Sequence, residues 1–527
     1  MSGEPPGDGV VRRTGARLAA CVLFLALLPV VLPAADDDED EPVPVPSASI
    51  AARPPASGAD ALTLAAAITG SLKSNRTLSV RRIDPQIAAE QVQVEKGAFD
   101  HHLTLDVEAE RQRIPTGSLL DGAAVSDVQT QFANLGVDHR FENGAVLTTQ
   151  FQNQRVLTNS SFQFVNPQFT SALVVSLVQP LARDAGRRTN LANLRIAENA
   201  AAQGGLRLRK VVLDTVAAVE RAYWDLYFAR QDRDVKTFAS HAADELVAFD
   251  RHRLEQGIGP ESDVVEASAA ASARMEELSL AERQLGDAEE ILRRLVGLGR
   301  PTLEKELYPA DALPATPPPP VLASSLSTAF SRRPDYQDLL LDLKSRDIRV
   351  AFLENQTRPR VDLVATYQQN GLAGGYGTAL DQVLDADFHG YIVGVQVALP
   401  LENRAAEAQY RAGQLAKQQA VLAVSALADQ IDEEVTRAVR AMRTDQRRLE
   451  LARNAERLAQ RQYAIGTQRF QEGLVLNREL LRFQEDLAAA RTRLLRANVD
   501  LVKDGVDLAA VTGALLDQRG IALRDNP

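Results

Sequence analysis

Cysteine, tryptophan and methionine are nearly missing from this 527-residue chain, which holds one, one and three of them, and aromatic residues make up only 5%. The single thiol, Cys21, sits near the N-terminus, so disulfide stapling, cysteine nucleophiles and Cys-based metal sites are excluded from everything that follows it. An excess of positive charge is lacking too. Lys plus Arg total 59 against 70 Asp plus Glu, a net charge of −11, which argues against a nucleic-acid partner, whose phosphates select a basic footprint. The apolar run from Leu18 to Leu32 is too short for a comfortable membrane span. It follows Arg12, Arg13 and Arg17 and ends at Pro33-Ala34-Ala35, the order of a secretory signal over residues 1–35. An uncleaved anchor is the other reading, and export follows from both. Leu18-Ala19-Ala20-Cys21 has the look of a lipoprotein box, but the apolar core follows the cysteine instead of preceding it, which argues against lipidation.

Residues 36–59 open with the acidic run Asp36 to Glu41 and continue with Pro42, Pro44 and Pro46. That composition repels itself and buries nothing, so a disordered leader is expected. Four consecutive prolines in Pro314 to Pro320 exclude helix and central strand and mark a linker over 298–325. It separates a first repeat, 60–297, from a second, 326–513, with a tail at 514–527.

The two halves are similar. Arg253 and Gly257 recur as Arg469 and Gly473 at an offset of 216, and the same offset relates Ala273 to Ala489, Leu285 to Leu501 and Gly297 to Gly513. From Leu206 to Arg253, and again from Gln414 to Ile465, the chain runs without glycine or proline and is rich in Ala, Leu, Arg, Gln and Glu. Each stretch predicts one helix of roughly 70 to 80 Å. A glycine-bearing turn, Gly257-Ile258-Gly259-Pro260 or the region around Gly473, then leads to a second helix ending near Gly297 or Gly513. Each half is therefore an antiparallel helical hairpin, with Leu427, Ile431, Val435, Val439 and Met442 forming a coiled-coil-like seam.

Other segments alternate with period two. Leu103, Leu105, Val107 and Ala109 interleave with Thr104, Asp106, Glu108 and Glu110; Val361 to Tyr367 and Tyr391 to Leu399 behave alike. Such strands suit lipid on one side and water on the other. Phe141-Glu142-Asn143-Gly144 supplies an Asn-Gly turn, so extra strands are expected between roughly Gln131 and Val156, in the barrel or in an extracellular loop. Four barrel strands cannot close alone, and open edges in lipid are costly, so several chains must share one barrel.

Three constellations invite a chemical reading and fail it. His101-His102 are adjacent in a strand and point to opposite faces, without a third ligand. Gly371 to Gly377 matches neither phosphate-loop pattern and reads as a flexible extracellular loop. Trp224, with Tyr223, Tyr227 and Phe228, has the spacing of helix core. With no hydrolase elbow, zinc signature or acid/base pair, neither an enzyme nor a cofactor is expected.

Leu64-Ala65-Ala66-Ala67 with Asn75, Gly97-Ala98-Phe99-Asp100 before the first strand, Arg333-Pro334-Asp335 opening the second half, and the strand ends Gln179-Pro180-Leu181 and Leu399-Pro400-Leu401 together resemble the TolC family of outer-membrane efflux proteins over about residues 60 to 515. The resemblance implies an α+β membrane protein in the cell outer membrane. It would be a homotrimer, with four strands per chain in one 12-stranded β-barrel against outer-membrane lipid, continued by a tunnel of helical hairpins through the periplasm. It also implies docking of a periplasmic adaptor, and through it an inner-membrane pump, on the hairpin tips Arg253, Gly257, Ile258, Arg469, Gly473 and Leu474. Asp263 and Glu479 fall where the family places an acidic gate residue and an acidic ring. Phe470 and Val475 replace the tyrosine and arginine that tie closed tips together in well-known members, so closure here must use other contacts or be looser. The resemblance points to a passive exit duct for efflux or type I secretion. A periplasmic coiled-coil adaptor or structural protein without a pore remains the alternative.

Overall fold

The computed structural model describes residues 60–117, 122–298 and 306–522. The expected signal, leader and Cys21 lie outside the described residues. The first half runs β1 (Asp60–Leu62), α1 (Leu64–Ser74), α2 (Arg76–Arg81), α3 (Asp84–Lys96), β2 (His101–Pro115), β3 (Val125–Arg140), β4 (Val146–Thr158), β5 (Gln168–Pro180), α4 (Arg187–Asn190), α5 (Ala192–Glu255) and α6 (Glu261–Val296). After β6 (Leu307–Pro309), the second half runs α7 (Leu322–Arg332), α8 (Pro334–Gln356), β7 (Arg360–Ala373), α9 (Tyr376–Leu384), β8 (Phe388–Ala398), α10 (Arg404–Gln471), α11 (Asn477–Val511) and α12 (Leu515–Gln518).

The helical hairpins appear where expected, but longer. Helices α5 and α10 have 64 and 68 residues, about 96 and 102 Å at 1.5 Å per residue. Both run through glycines taken as boundaries in the sequence. A Cβ at Gly204 would press on Pro85 of α3, at Gly413 on Leu353 of α8, and at Gly466 on the Phe483 ring of α11. These glycines are notches where another element crosses closely, and the contact offsets the helix-propensity cost of about 1 kcal/mol. Among the described residues no helix is long and apolar enough to cross a membrane.

The sheet departs from expectation. Six strands, not four, form one antiparallel sheet in the order β2-β3-β4-β5-β7-β8. The extra strands around the Asn-Gly turn are β3 and β4, paired on both sides for most of their length. The expectation of four strands per chain is thereby corrected to six in this sheet. Strand β4 does not alternate cleanly, because Thr149, Asn153 and Arg155 sit on the face that Leu147 and Phe151 occupy, which hides it from a period-two reading. A second correction concerns Gly371 to Gly377. Strand β7 continues to Ala373 and α9 starts at Tyr376, folding back so that Ala379 packs on Gly371. A side chain at Gly371 would collide with the Ala379 carbonyl.

Two junctions fasten sheet to helices. The turn between β3 and β4 lies against the lead-in to α5, with Asn190 Nδ2 donating to the Asp184 carbonyl at 2.8 Å and Asp184 filling the space beside Gly144. That turn is therefore on the helical side of the sheet. The largest core gathers Val212, Val216, Tyr223 and Leu226 of α5, Leu292 and Val296 of α6, Val499 and Val506 of α11, and Leu515 and Leu516. Tyr223 is buried core, as its spacing suggested, and its hydroxyl donates to Asp311 Oδ2 at 2.7 Å, holding the segment that leads into the prolines. That segment then lies along α10, where the Pro317 and Pro320 carbonyls accept bonds from Gln446 and Arg443.

In the second half Arg333 plays the fastening role. It is buried and donates to both Asp335 oxygens (3.0 and 2.6 Å), to Glu434 Oε2 of α10 (2.5 Å) and to the Val511 carbonyl of α11. Burial pushes the Asp335 carboxyl up, but the bonds and charge of Arg333 outweigh it and hold the group below its ordinary range. Arg333→Ala strands two carboxylates and is expected to cost roughly 3–5 kcal/mol, read as a lower thermal midpoint by circular dichroism. Arg333→Lys should recover only part of this, since an ammonium lacks the planar fork.

Candidate functional site

The tips of the two hairpins are built alike. At the end of α5 the Ile258 amide donates to the Arg253 carbonyl (3.0 Å) and the Gly257 amide to the Leu254 carbonyl (2.9 Å). At the end of α10 Leu474 donates to Arg469 (2.9 Å) and Gly473 to Phe470 (3.0 Å). This pair of bonds satisfies the last carbonyls of each helix and requires a left-handed residue. Gly257 and Gly473 supply it, at φ 72° and 75°. Ile258 and Leu474, next in each turn, are 65% and 71% exposed, so each apex presents one apolar side chain to solvent. Arg253 lies over the Phe249 ring, 5.8 Å from its centroid, while Arg469 is exposed.

Asp263 and Glu479 each occupy the third position of the returning helices α6 and α11, where the helix dipole favours an anion. Their surroundings differ. Glu479 is exposed and lines a groove with Arg461, Arg469, Val475 and Phe483. Asp263 is half-buried, and its carbonyl is 3.5 Å from Asn477 Nδ2. The structure thus groups Glu479 with Val475 and Arg469 in the second hairpin and puts Asp263 at the contact between the two hairpins.

That contact contains two residues which sequence reasoning missed. Asp250 of α5 and Asn477 of α11, only 2% and 6% exposed, are joined by a 2.5 Å bond from Asn477 Nδ2 to Asp250 Oδ2. Asp250 Oδ1 and Asn477 Oδ1 find no protein partner among the described residues. Beside them Phe470 packs on Phe249 with its ring tilted by 57° and 5.7 Å between centroids and joins Leu246, Ala267 and Leu480 in a small apolar cluster. Phe470 therefore ties the hairpins by packing, while the polar link is made by the buried pair. One signal was available in the sequence: at the repeat offset Asp250 corresponds to Gly466 and Asn477 to Glu261, so both members stand where the halves diverge.

Burial is the main cause that raises the Asp250 carboxyl above its ordinary value of 3.8; Asp263 and Glu266 add to it, and the Asn477 bond and Arg253 oppose it. His102 stands 3.4 Å from Asp138, and His101 stacks on His139. Among the described residues no group of three or more His, Cys, Asp or Glu is placed to hold a metal.

Comparison with known proteins completes the picture. A family model described as outer membrane efflux protein matches residues 67–298 and 325–514. The outer membrane efflux protein BepC of Brucella suis is 25% identical over 323 residues, 60% of this chain and 66% of that one, slightly under two thirds of the relative's length. Among solved structures the CmeC outer membrane channel of Campylobacter jejuni has the same fold, with a TM-score of 0.61, 15% identity and 86% of each chain covered. So has the outer membrane protein VceC of Vibrio cholerae, with a TM-score of 0.60, 17% identity and coverage of 85% and 96%.

The raised Asp250 carboxyl carries a pH dependence. A group held above its ordinary pKa by the packed tip stabilises that tip fully below the ordinary value and loses the contribution as pH rises through the raised one. Amide exchange around Asn477, corrected for intrinsic rates, is expected to be slower at about pH 4 than at about pH 8. Asp250→Asn should remove the difference.

Proposed function

The chain belongs to the outer membrane efflux protein family, and from that premise we propose that three copies assemble into a passive exit duct from the periplasm through the outer membrane. The observation that carries this is the union, in one chain, of a sheet with one apolar face and a pair of helical hairpins about 100 Å long. The apolar face suits lipid. Among the described residues the sheet has two free edges, and backbone groups left unpaired in hydrocarbon cost several kcal/mol each, so neighbouring copies supply the partners. The helices, polar over most of their surface and lacking a membrane span, continue the duct into the periplasm. The family is one of channels, and the chemistry of this chain is correspondingly that of positioning and charge.

In this reading the turn-bearing tips are the periplasmic end. The exposed Ile258 and Leu474, with Arg253, Arg469, Gly257 and Gly473 shaping their turns, form the surface for a periplasmic adaptor that connects to an inner-membrane pump. Apolar apices framed by arginine suit a helical partner with acidic flanks. Asp263 and Glu479, repeated by threefold symmetry, place carboxylates around the aperture and favour cations over anions. The buried Asp250–Asn477 bond and the Phe249–Phe470 ring contact keep the tips together without the tyrosine and arginine of other members. Energy and most substrate choice come from the partners.

Planar-bilayer recording of purified protein tests this directly. Wild type should pass ions with a cation preference, and Asp263→Ala and Glu479→Ala should weaken that preference, most when combined. Unchanged selectivity rejects the aperture assignment and keeps the channel. Absence of conduction from folded oligomers favours the pore-free adaptor.

A further inference from the structure

The six-stranded sheet determines more than the need for a partner. We infer that the seam between copies is an antiparallel pairing of β2 with β8 of the next copy, so that three chains close an 18-stranded barrel. This rests on the trimeric reading above. The strand number and the identity of the seam come from the sheet itself.

First, the additional strands are integral. Pairing runs unbroken from His101↔His139 to Pro115↔Val125 between β2 and β3, and β3 and β4 pair at both of their ends. Between them the ladder skips Ala133 and Asn134, where Asn153 donates from its amide to Asn134 Oδ1 and from Nδ2 to the Ala133 carbonyl, and it resumes in the same register, so the six strands stay in one sheet. Second, the two faces keep their character across all six strands. One row through the registers joins Leu103, Val137, Thr149, Val175, Tyr367 and Tyr391; its neighbour on the other face joins Thr104, Gly136, Gln150, Val174, Gln368 and Gly390. A hairpin lying outside a four-strand barrel would have no reason to repeat the alternation of the strands that cross the membrane.

Third, charge fixes which side β2 shows to water from Leu103 to Glu110; beyond that stretch Arg111 and Arg113, on the face of Leu103, pair with Asp127. Asp106, Glu108 and Glu110 share the face of Thr104 and are exposed. Against lipid each would be costly, whereas inside the barrel the three form a column in the aqueous lumen. Fourth, β2 is exposed along its whole length and β8 along nearly all of it, while the strands between them are mostly half-buried. The side chains next to both free edges therefore lack neighbours, the pattern expected of two halves of one seam. Fifth, strand direction allows it. With six strands alternating in direction, β2 and β8 run opposite to each other, so simple rotation about an axis brings β8 beside the next β2 in antiparallel pairing. An odd number would force a parallel seam.

The dimension follows from the strand count. At about 4.8 Å between strands and a tilt near 40°, 18 strands give a backbone diameter of roughly 36 Å, against roughly 24 Å for 12. The helical hairpins remain two per chain, and twelve helices about 9 Å apart put their axes on a circle roughly 34 Å across, close to the width of the mouth. Solutes would leave through a wide, carboxylate-lined vestibule.

Cysteine pairing across the seam tests this in the full-length chain. Cys21 is the sole native thiol, so Cys21→Ser provides the background. Leu105→Cys is combined in turn with Val393→Cys, Val395→Cys and Val397→Cys, all on the apolar face, and oxidised in membranes. Covalent dimers and trimers are expected from at least one register, while Thr149→Cys of β4 with the same partners gives none. Cross-links through β4 and none through β2 would overturn the inference and restore a 12-stranded barrel. An amine-reactive cross-linker applied to the same membranes reports copy number separately; a species other than a trimer contradicts the trimeric reading, while β2 cross-links still identify the seam. The unmodified protein offers a second readout. With side chains taking about 5 Å on each wall, polymers of roughly 20 Å diameter added outside should enter the mouth and lower conductance, and their exclusion contradicts 18 strands.

Discussion

An amide or carbonyl at the edge of a sheet has water as a substitute partner everywhere except in hydrocarbon. Strands β2 and β8 are long and exposed, each with one edge unpaired among the described residues, and they border a sheet whose face from Leu103 to Tyr391 is mostly apolar. The proposed assembly reconciles those two facts by letting the edges meet edges of other copies. In that proposal oligomeric assembly is a condition for the sheet to exist where its surface says it belongs. The helical hairpins follow from the same proposed ring, since strands arranged around an axis deliver the helices that succeed them around that axis too.

The helical part solves a different problem. A helix of 64 residues cannot be stabilised by one compact core, and the buried residues are accordingly spread over several small clusters along α5, α6, α10 and α11. Where the internal repeat is strict, the geometry is repeated with it: the turns at Gly257 and Gly473 have matching bonds, and Gly297 and Gly513 sit against the carbonyl ends of α1 and α7 in equivalent ways. In the helices just behind these turns the repeat breaks. Asp250 faces Asn477 in one place, while its counterpart Gly466 makes room for Phe483 in the other. A buried carboxylate with a single bond and an unpaired oxygen is costly to keep in a stable core. It is more easily kept at a contact that has to separate.

Much of this was legible in the sequence because it rests on periodicity. The uninterrupted run from Gln414 to Ile465 and the alternation from Leu103 to Glu110 are local signals, and the offset of 216 compares the chain with itself. What escaped depends on partners remote in sequence. Gly413 and Gly466 look like helix boundaries until Leu353 and Phe483 are seen filling the notches. Strand β4 mixes Thr149 and Arg155 into its apolar face, so the sequence suggested extra strands without placing them, and four strands were expected where six occur. Asp250 and Asn477 lie 227 positions apart, and only the divergence of the two halves hinted at them. The acidic positions Asp263 and Glu479 were found by analogy, and the structure separates their environments, one against the facing hairpin and one in an open groove.

The central claim is that this chain functions only as a ring. Native mass spectrometry of protein gently extracted from outer membranes measures this most directly. The account predicts one dominant species of three times the mature chain mass, persisting at high dilution. A stable, folded monomer at the same dilution would contradict it, because the edges of β2 and β8 would then have found some other way to exist in lipid.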